Sequence, residues 1–173
     1  MRQPRDKTST ALTGAAGEHL VMSRLLTRGY IAALAPQGAP DLDVVASTRD
    51  GSKVFSMQVK TRKNRGPKGG WPMGKKNETD KYQGVFYAFV DLDESETYHS
   101  KVYVVPSSEV AKVLRESHAF WISQPGRIGK ERNDTSMRRF EPDYSWVPNL
   151  KQKHSDGWLD QYYESWNLEE RQD

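Results

Sequence analysis

Hydrophobic and polar positions alternate along one short segment in the first part of the chain, and two other short segments before it are also predicted to be strands. The segments are 30–34, 42–47 and 54–61. In a strand, successive side chains point to opposite faces of the sheet. The turn-forming sequence at 49–52 predicts that the second and third segments form a hairpin.

Apolar residues recur at helical spacing in two other segments. The first spans about 12–28 and is followed by Gly29, where a C-terminal cap is expected. The second runs to about residue 117, with Ser107 or Ser108 as its expected cap. Both segments are therefore predicted to be amphipathic helices.

Two further strands are predicted in the middle of the chain. The segment 84–92 is almost continuously apolar, which is typical of a central strand covered on both faces. The segment 101–105 is expected to end at Pro106. Together the elements predict an α/β fold with a mixed central sheet flanked by helices.

The last third of the chain is less regular and rich in aromatic residues. We expect one domain over 1–173, with residues 1–10 disordered and 119–173 forming a C-terminal extension that packs on the core. Base stacking is the alternative role for its aromatic side chains. They are Phe140, Tyr144, Trp146, Trp158, Tyr162, Tyr163 and Trp166.

The composition excludes several classes of protein. The 173 residues are 35% hydrophobic and 28% charged, with a net charge of +3, and they include no cysteine for disulfides or thiolate chemistry. The four histidines lack zinc-site spacing. Neither a membrane-spanning run nor a signal peptide is evident, so a cytoplasmic protein is expected. The mild positive charge permits a nucleic-acid partner.

Five polar residues form the candidate site. Gln58 and Lys60 share one face of the third strand, and a half-buried lysine requires an anionic partner. Asp41 and Asp43 lie just upstream and are expected on the same face of the second strand. Glu18 shares the inward face of the first helix, where it either extends to solvent at the helix edge or is directed at a partner. The opposite face of the third strand carries Phe55, Met57 and Val59.

These side chains suit a magnesium or manganese site. Carboxylate and amide oxygens are the hard donors that Mg²⁺ and Mn²⁺ prefer, and the neighbouring lysine supplies a positive charge. Phosphodiester hydrolysis uses such parts. Alternation does not decide between the two aspartates. Asp41 could instead be a turn residue.

A basic segment follows the candidate site directly. It spans 62–78, contains several glycines and prolines, and has no acid before Glu78. We interpret it as a phosphate-binding loop, with a solvated loop as the alternative. Its cationic residues are Arg62, Lys63, Arg65, Lys68, Lys75 and Lys76.

The sequence Pro40-Asp41 followed by Gln58-Val59-Lys60 resembles the motif of the PD-(D/E)xK nuclease superfamily, in its variant with glutamine at the middle acid. Gly17-Glu18 on the preceding helix is similar to that superfamily as well. The resemblance is strongest over 14–62. Segments within 70–92 and 104–107 resemble a group of its bacterial members.

The resemblance implies a restriction endonuclease-like core and an endonuclease that cuts DNA with Mg²⁺ or Mn²⁺. RNA is an open alternative substrate, and many members of the superfamily are homodimers. Metal ligands would be Glu18, Asp41, Asp43 and Gln58, and Lys60 would serve the attacking water. Asp41 fits the literal Pro-Asp of the motif, but Asp43 is followed by apolar strand residues as the family's acid usually is, so Asp43 would be the main ligand and Asp41 the second.

The sequence departs from the family pattern in two ways. Gln58 lacks the charge of the usual acid, and 62–83 is a poor helix where the family has one. The helix after Pro106 is expected to fill part of that role. A second hypothesis is therefore a nuclease-fold module that binds nucleic acid or a protein partner and has weak or lost catalysis.

Overall fold

A five-stranded mixed sheet lies at the centre of the computed structural model, which describes residues 8–63, 69–79, 81, 83–93 and 99–170. Its order is β1-β2-β3-β5-β6. The strands are β1 (Ile31–Leu34), β2 (Val44–Ser47), β3 (Val54–Lys63), β5 (Val85–Leu92) and β6 (Lys101–Pro106). Only β3 and β5 pair in parallel; the other neighbours are antiparallel. The predicted hairpin and mixed sheet are confirmed.

Outside the central sheet, the described residues form two α-helices and a small second sheet. The helices are α1 (Thr8–Thr27) and α2 (Ser107–Ser123). The second sheet pairs β4 (Trp71–Gly74) with β7 (Met137–Phe140) in antiparallel fashion. Shorter 3-10 helices span Lys75–Glu78, Arg127–Gly129 and Trp158–Tyr162. Among the described residues, neither helix has the length and apolarity needed to cross a membrane.

The helix α1 covers one face of the central sheet. Val21 and Leu25 of α1 are fully buried in one core cluster with the apolar face of β3. Phe55, Met57 and Val59 form that face, as the alternation predicted. Gly17 allows the helix to approach closely, because a Cβ atom at this position would lie 1.9 Å from Thr61 Oγ1.

The other face of the sheet is covered by α2, the second sheet and most of the C-terminal extension, whose last part, with Trp166 and Leu168, packs in the α1 cluster instead. The Phe140 ring stacks on Phe89 of β5, with their centroids 3.8 Å apart. Tyr144 and Trp158 lie in the same buried cluster, whereas Trp146 and Tyr163 stay half-exposed. Because β5 is covered on both faces, its continuous apolar sequence is explained.

The helix ends differ in part from their predictions. Gly29 is confirmed as a C-terminal cap: its φ is +89°, and its amide donates to the Leu26 carbonyl. The helix α1 begins at Thr8 rather than at 12, and residues 1–7 lie outside the described part of the chain. The expected serine cap of α2 is wrong, because Pro106 occupies the cap position and no side chain caps the helix.

The basic segment at 62–78 is not simply a loop. It continues β3 through Lys63 and then contributes β4 and a 3-10 helix. Trp71 is buried in β4, and its indole N–H donates to the Val90 carbonyl at 3.0 Å. In the described part of the β3–β5 connection there is no α-helix. The helix α2 packs instead on the face opposite α1.

Candidate active site

Asp43 is fixed against β3 through both its backbone and its side chain. Its backbone N–H donates to the Met57 carbonyl at 2.9 Å. The backbone N–H of Val59 donates to Asp43 Oδ2 at 2.7 Å. The carboxylate therefore lies beside the middle of β3. The strand β2 begins only at Val44, so Asp41 and Asp43 both precede it. The prediction that the two aspartates share one face of the second strand is therefore wrong.

Asp43 is within electrostatic range of both Glu18 and Lys60. Partial burial raises the pKa of Glu18, and the negative charge of Asp43 raises it further. Burial lowers the pKa of Lys60, while Asp43 and Asp41 act in the opposite direction. The charges of Glu18 on α1 and of Lys60 on β3 therefore both interact with that of Asp43, although the two residues come from different layers of the fold.

Gln58 lies deeper than the other candidates. Its side chain is buried, and Oε1 accepts a hydrogen bond from Asn77 Nδ2 at 3.3 Å. Asn77 also donates to the Tyr87 hydroxyl at 2.8 Å, and its own oxygen accepts from the Gly74 amide at 2.9 Å. These contacts fix the orientation of both amides, so the Gln58 oxygen already has one donor.

Asp41 is engaged by two lysines. Its Oδ1 lies 2.5 Å from Lys76 Nζ and its Oδ2 lies 3.5 Å from Lys81 Nζ. The hydrogen bond from Lys76 is the main cause of a lowered Asp41 pKa. Asp41 has a φ of 56°, which is in the left-handed region, and it lies in a turn. This arrangement matches the alternative of a turn residue better than that of a metal ligand.

The carboxylates do not form a complete cluster by themselves. Within the described ranges, no group of three or more histidine, aspartate or glutamate side chains is placed to hold a metal ion. A cation site would therefore have to combine the pair Glu18 and Asp43 with other oxygens, such as the Gln58 amide.

Arg62 is a correction to the predicted phosphate-binding set. The residue is buried, its Nη2 lies 2.9 Å from Asp91 Oδ2, and its guanidinium lies 3.8 Å from the centre of the Trp71 ring. Its charge is balanced inside the protein by Asp91 and Trp71. Because β3 and β5 are parallel and in register at this point, Arg62 and Asp91 are direct neighbours.

The other predicted phosphate-binding residues have varied positions. Lys75 is exposed and pairs with Asp134 at 2.7 Å, while Lys76 is exposed and pairs with Asp41. Lys63 is the last residue of β3. Arg65 and Lys68 lie outside the described residues. Lys75 and Lys76 thus remain accessible but are already ion-paired.

Sequence reasoning missed three partners of the site: Asn77, Lys81 and Asp134. The first two come from the connection after β4, and the third comes from the loop before β7. Strand alternation carries no information about such positions. A signal existed only for Asn77, which interrupts the charged sequence Lys-Lys-Asn-Glu with an amide.

Comparison with known proteins gives little further information. No family model matches the chain, and no curated protein matches it. A solved bacterial homing endonuclease is similar at 17% sequence identity and a TM-score of 0.47, over 92% of this chain and 89% of that one. The site is therefore interpreted from its own residues.

Proposed function

We propose that this chain is a metal-dependent nuclease with a restriction endonuclease-like core that hydrolyses phosphodiester bonds of DNA. The observation that carries the proposal is the fixed Asp43 carboxylate, with Glu18 and Lys60 both in its electrostatic range. Carboxylates can hold a metal ion that activates water, and a nearby ammonium can stabilise developing negative charge, so these groups suit metal-assisted hydrolysis. The sheet also supports the proposal, because β1, β2 and β3 are antiparallel to one another in turn and β5 lies parallel to β3.

The donor chemistry fits Mg²⁺ or Mn²⁺. Glu18 and Asp43 offer carboxylate oxygens, and Gln58 offers an amide oxygen with a second lone pair free to bind. The two carboxylates repel each other, which favours a cation near them. A bound metal would polarise a phosphoryl oxygen and lower the pKa of its water. Asp41 is the second candidate ligand and would have to leave its lysines.

Lys60 is the candidate for direct action on the substrate. Its ammonium is partly buried beside Asp43, where a charge interacts more strongly than in open water. It can donate a hydrogen bond to the attacking water or to a phosphate oxygen and stabilise the negative charge that develops there.

The test is cleavage of labelled duplex, single-stranded and branched DNA with Mg²⁺ or Mn²⁺, and with chelator. We expect metal-dependent cutting by the wild type and a loss of about 100-fold or more in Lys60→Ala. DNA binding should persist, because one lysine is a small part of a many-charge interface. Lys101→Ala, an exposed lysine on β6, is the matched control and should cut normally. A wild-type protein that cuts no DNA form would contradict the proposal.

The second candidate is a nuclease-fold module that binds nucleic acid or a protein partner without efficient catalysis. The donor already on the Gln58 oxygen and the two lysines on Asp41 favour it. RNA as substrate and a homodimer as assembly stay predictions from the family resemblance.

Metal titration by calorimetry separates the two candidates. Asp43→Asn keeps an oxygen for the Val59 amide but removes the charge, so it should weaken Mn²⁺ binding if Asp43 is a ligand. Gln58→Glu should tighten it, because a second carboxylate attracts the ion more than an amide does. If wild type and Asp43→Asn bind Mn²⁺ with equal affinity and neither cleaves DNA, the nuclease proposal is wrong and the binding module is the better interpretation.

A further inference from the structure

The loop after α2 presents an apolar side chain in an unusual backbone conformation. Ile128 is 93% exposed, and its φ and ψ are 62° and 34°. A β-branched residue in the left-handed region is a rare and strained outlier. Such strain persists only where the surroundings hold it in place, and it is concentrated at functional sites.

The tip of this loop has a defined shape. The Gly126 N–H donates to the Lys130 carbonyl at 2.7 Å, and the Gly129 N–H donates to the Gly126 carbonyl at 3.2 Å. A Cβ atom at Gly126 would lie 2.7 Å from the Lys130 carbonyl oxygen, so this close approach requires glycine. Ile128 is therefore held outward by a closed five-residue turn, 126–130.

The base of the loop is attached to the end of α2. Arg132 Nη1 donates to the Trp121 carbonyl at 3.0 Å, and its guanidinium lies 4.5 Å from the centre of the Trp121 ring. The Gln124 amide donates to the same carbonyl. The turn is thus attached to a helix that packs on the core.

Positive charge lies on both sides of the exposed isoleucine. Arg127 and Lys130 are exposed in the same turn, with Ile128 between them in sequence. A single isoleucine is too small to form the core of a protein interface, which requires about 800 Å² from each partner. It is also too small to anchor a protein in a lipid surface. One rigid apolar side chain flanked by cations is, however, sufficient to act as a wedge between base pairs.

We propose that the turn 126–130 inserts Ile128 between stacked base pairs of duplex DNA, while Arg127 and Lys130 contact the adjacent phosphates. The choice of DNA as partner rests on the proposed nuclease function. Unstacking a base step bends the duplex and allows more of the protein surface to contact it. The loop would thus favour duplex steps that unstack easily.

The experiment uses duplexes that carry 2-aminopurine, whose fluorescence rises when it loses stacking, in buffer with chelator. Wild type and Ile128→Leu should raise the fluorescence. Ile128→Gly should abolish the rise and weaken binding by about tenfold. The glycine suits the left-handed conformation, so the variant should melt no lower than wild type. Val54→Ala, at another exposed apolar residue, is the control and should behave as wild type.

Two results would overturn the proposal. One is an unchanged fluorescence rise and affinity in Ile128→Gly. The other is binding of the wild type, but not of Ile128→Gly, to anionic phospholipid vesicles, with no change of 2-aminopurine fluorescence in any duplex.

The assay is independent of cleavage, so the two proposals fail separately. If the wild type cuts DNA, and Ile128→Gly unstacks the duplex as well as wild type does, the nuclease proposal stands and the wedge proposal is wrong. Unstacking that depends on Ile128, in a protein that cuts nothing, would do the reverse.

Discussion

Arg62 carries a positive charge inside the protein, and its surroundings determine what that charge does. The guanidinium stacks on the Trp71 indole and pairs with Asp91 at 2.9 Å. A buried charge is costly unless it is paired, and removing one partner leaves the other uncompensated. Arg62 therefore contributes to the join between β3, β4 and β5, although it stands next to the candidate site in sequence.

Replacement of Arg62 by methionine should destabilise the fold and leave DNA binding nearly unchanged. We expect the free energy of unfolding to fall by about 2 kcal/mol, less than for a fully buried pair because Asp91 is partly exposed. Urea denaturation measures this, and the double variant with Asp91→Asn should recover part of the loss. A stable Arg62→Met with a reduced salt dependence of DNA binding would instead return Arg62 to the phosphate-binding set.

The contact between α1 and β3 depends on two elements that approach unusually closely. Gly17 faces Thr61, and no side chain larger than hydrogen fits between them. Because Glu18 follows Gly17 directly, the same contact sets where the Glu18 carboxylate lies relative to the sheet. Gly14, one turn earlier on α1, has nothing within 4 Å of a Cβ built on it.

Alanine at these two glycines should therefore have opposite effects. Gly17→Ala is expected to lower the free energy of unfolding by about 1–3 kcal/mol through overpacking, and to weaken metal binding by displacing Glu18. Gly14→Ala should raise the free energy of unfolding by about 0.5–1 kcal/mol because glycine is a poor helix former. Removal of Thr61 Oγ1 by Thr61→Ala should rescue Gly17→Ala in part. Equal effects of the two alanines in urea denaturation would contradict the close contact.

The whole molecule has two core clusters on opposite faces of one sheet. The α1 side contains Leu25 together with Leu168 from the end of the extension, and the opposite side contains Phe140 stacked on Phe89. The central strand β5 contributes side chains to both clusters. A strand shared in this way should prevent either half from unfolding alone.

Leu25→Ala and Phe140→Ala should each shift one common unfolding transition. We expect losses of about 2–5 kcal/mol for the leucine and about 3–5 kcal/mol for the phenylalanine. Far-ultraviolet circular dichroism and tryptophan fluorescence should follow the same curve in both variants. Two separated transitions would show instead that the extension folds as an independent domain.

The sequence was informative where its periodicity was local. Alternation in 54–61 identified which face of β3 packs in the α1 cluster, and the glycine after α1 marked the end of that helix correctly. It could not identify Arg62 as internal, because its partner Asp91 is brought alongside by a parallel crossover. The lysines on Asp41 also come from that crossover, whose strand and 3-10 helix are only four residues long each and so show no readable periodicity.

Asp43 has a consequence for the thermodynamics of ion capture. Its backbone amide and its carboxylate are both tied to β3, so its rotamer is selected when the protein folds. Immobilising a free side chain on binding costs about 0.5–1.5 kcal/mol in entropy, and a preorganised carboxylate avoids much of that cost. Its orientation is inherited from the pairing of β2 with β3, since a slip of one residue would reverse every side chain. Preorganisation at this position is therefore a property of the strand register.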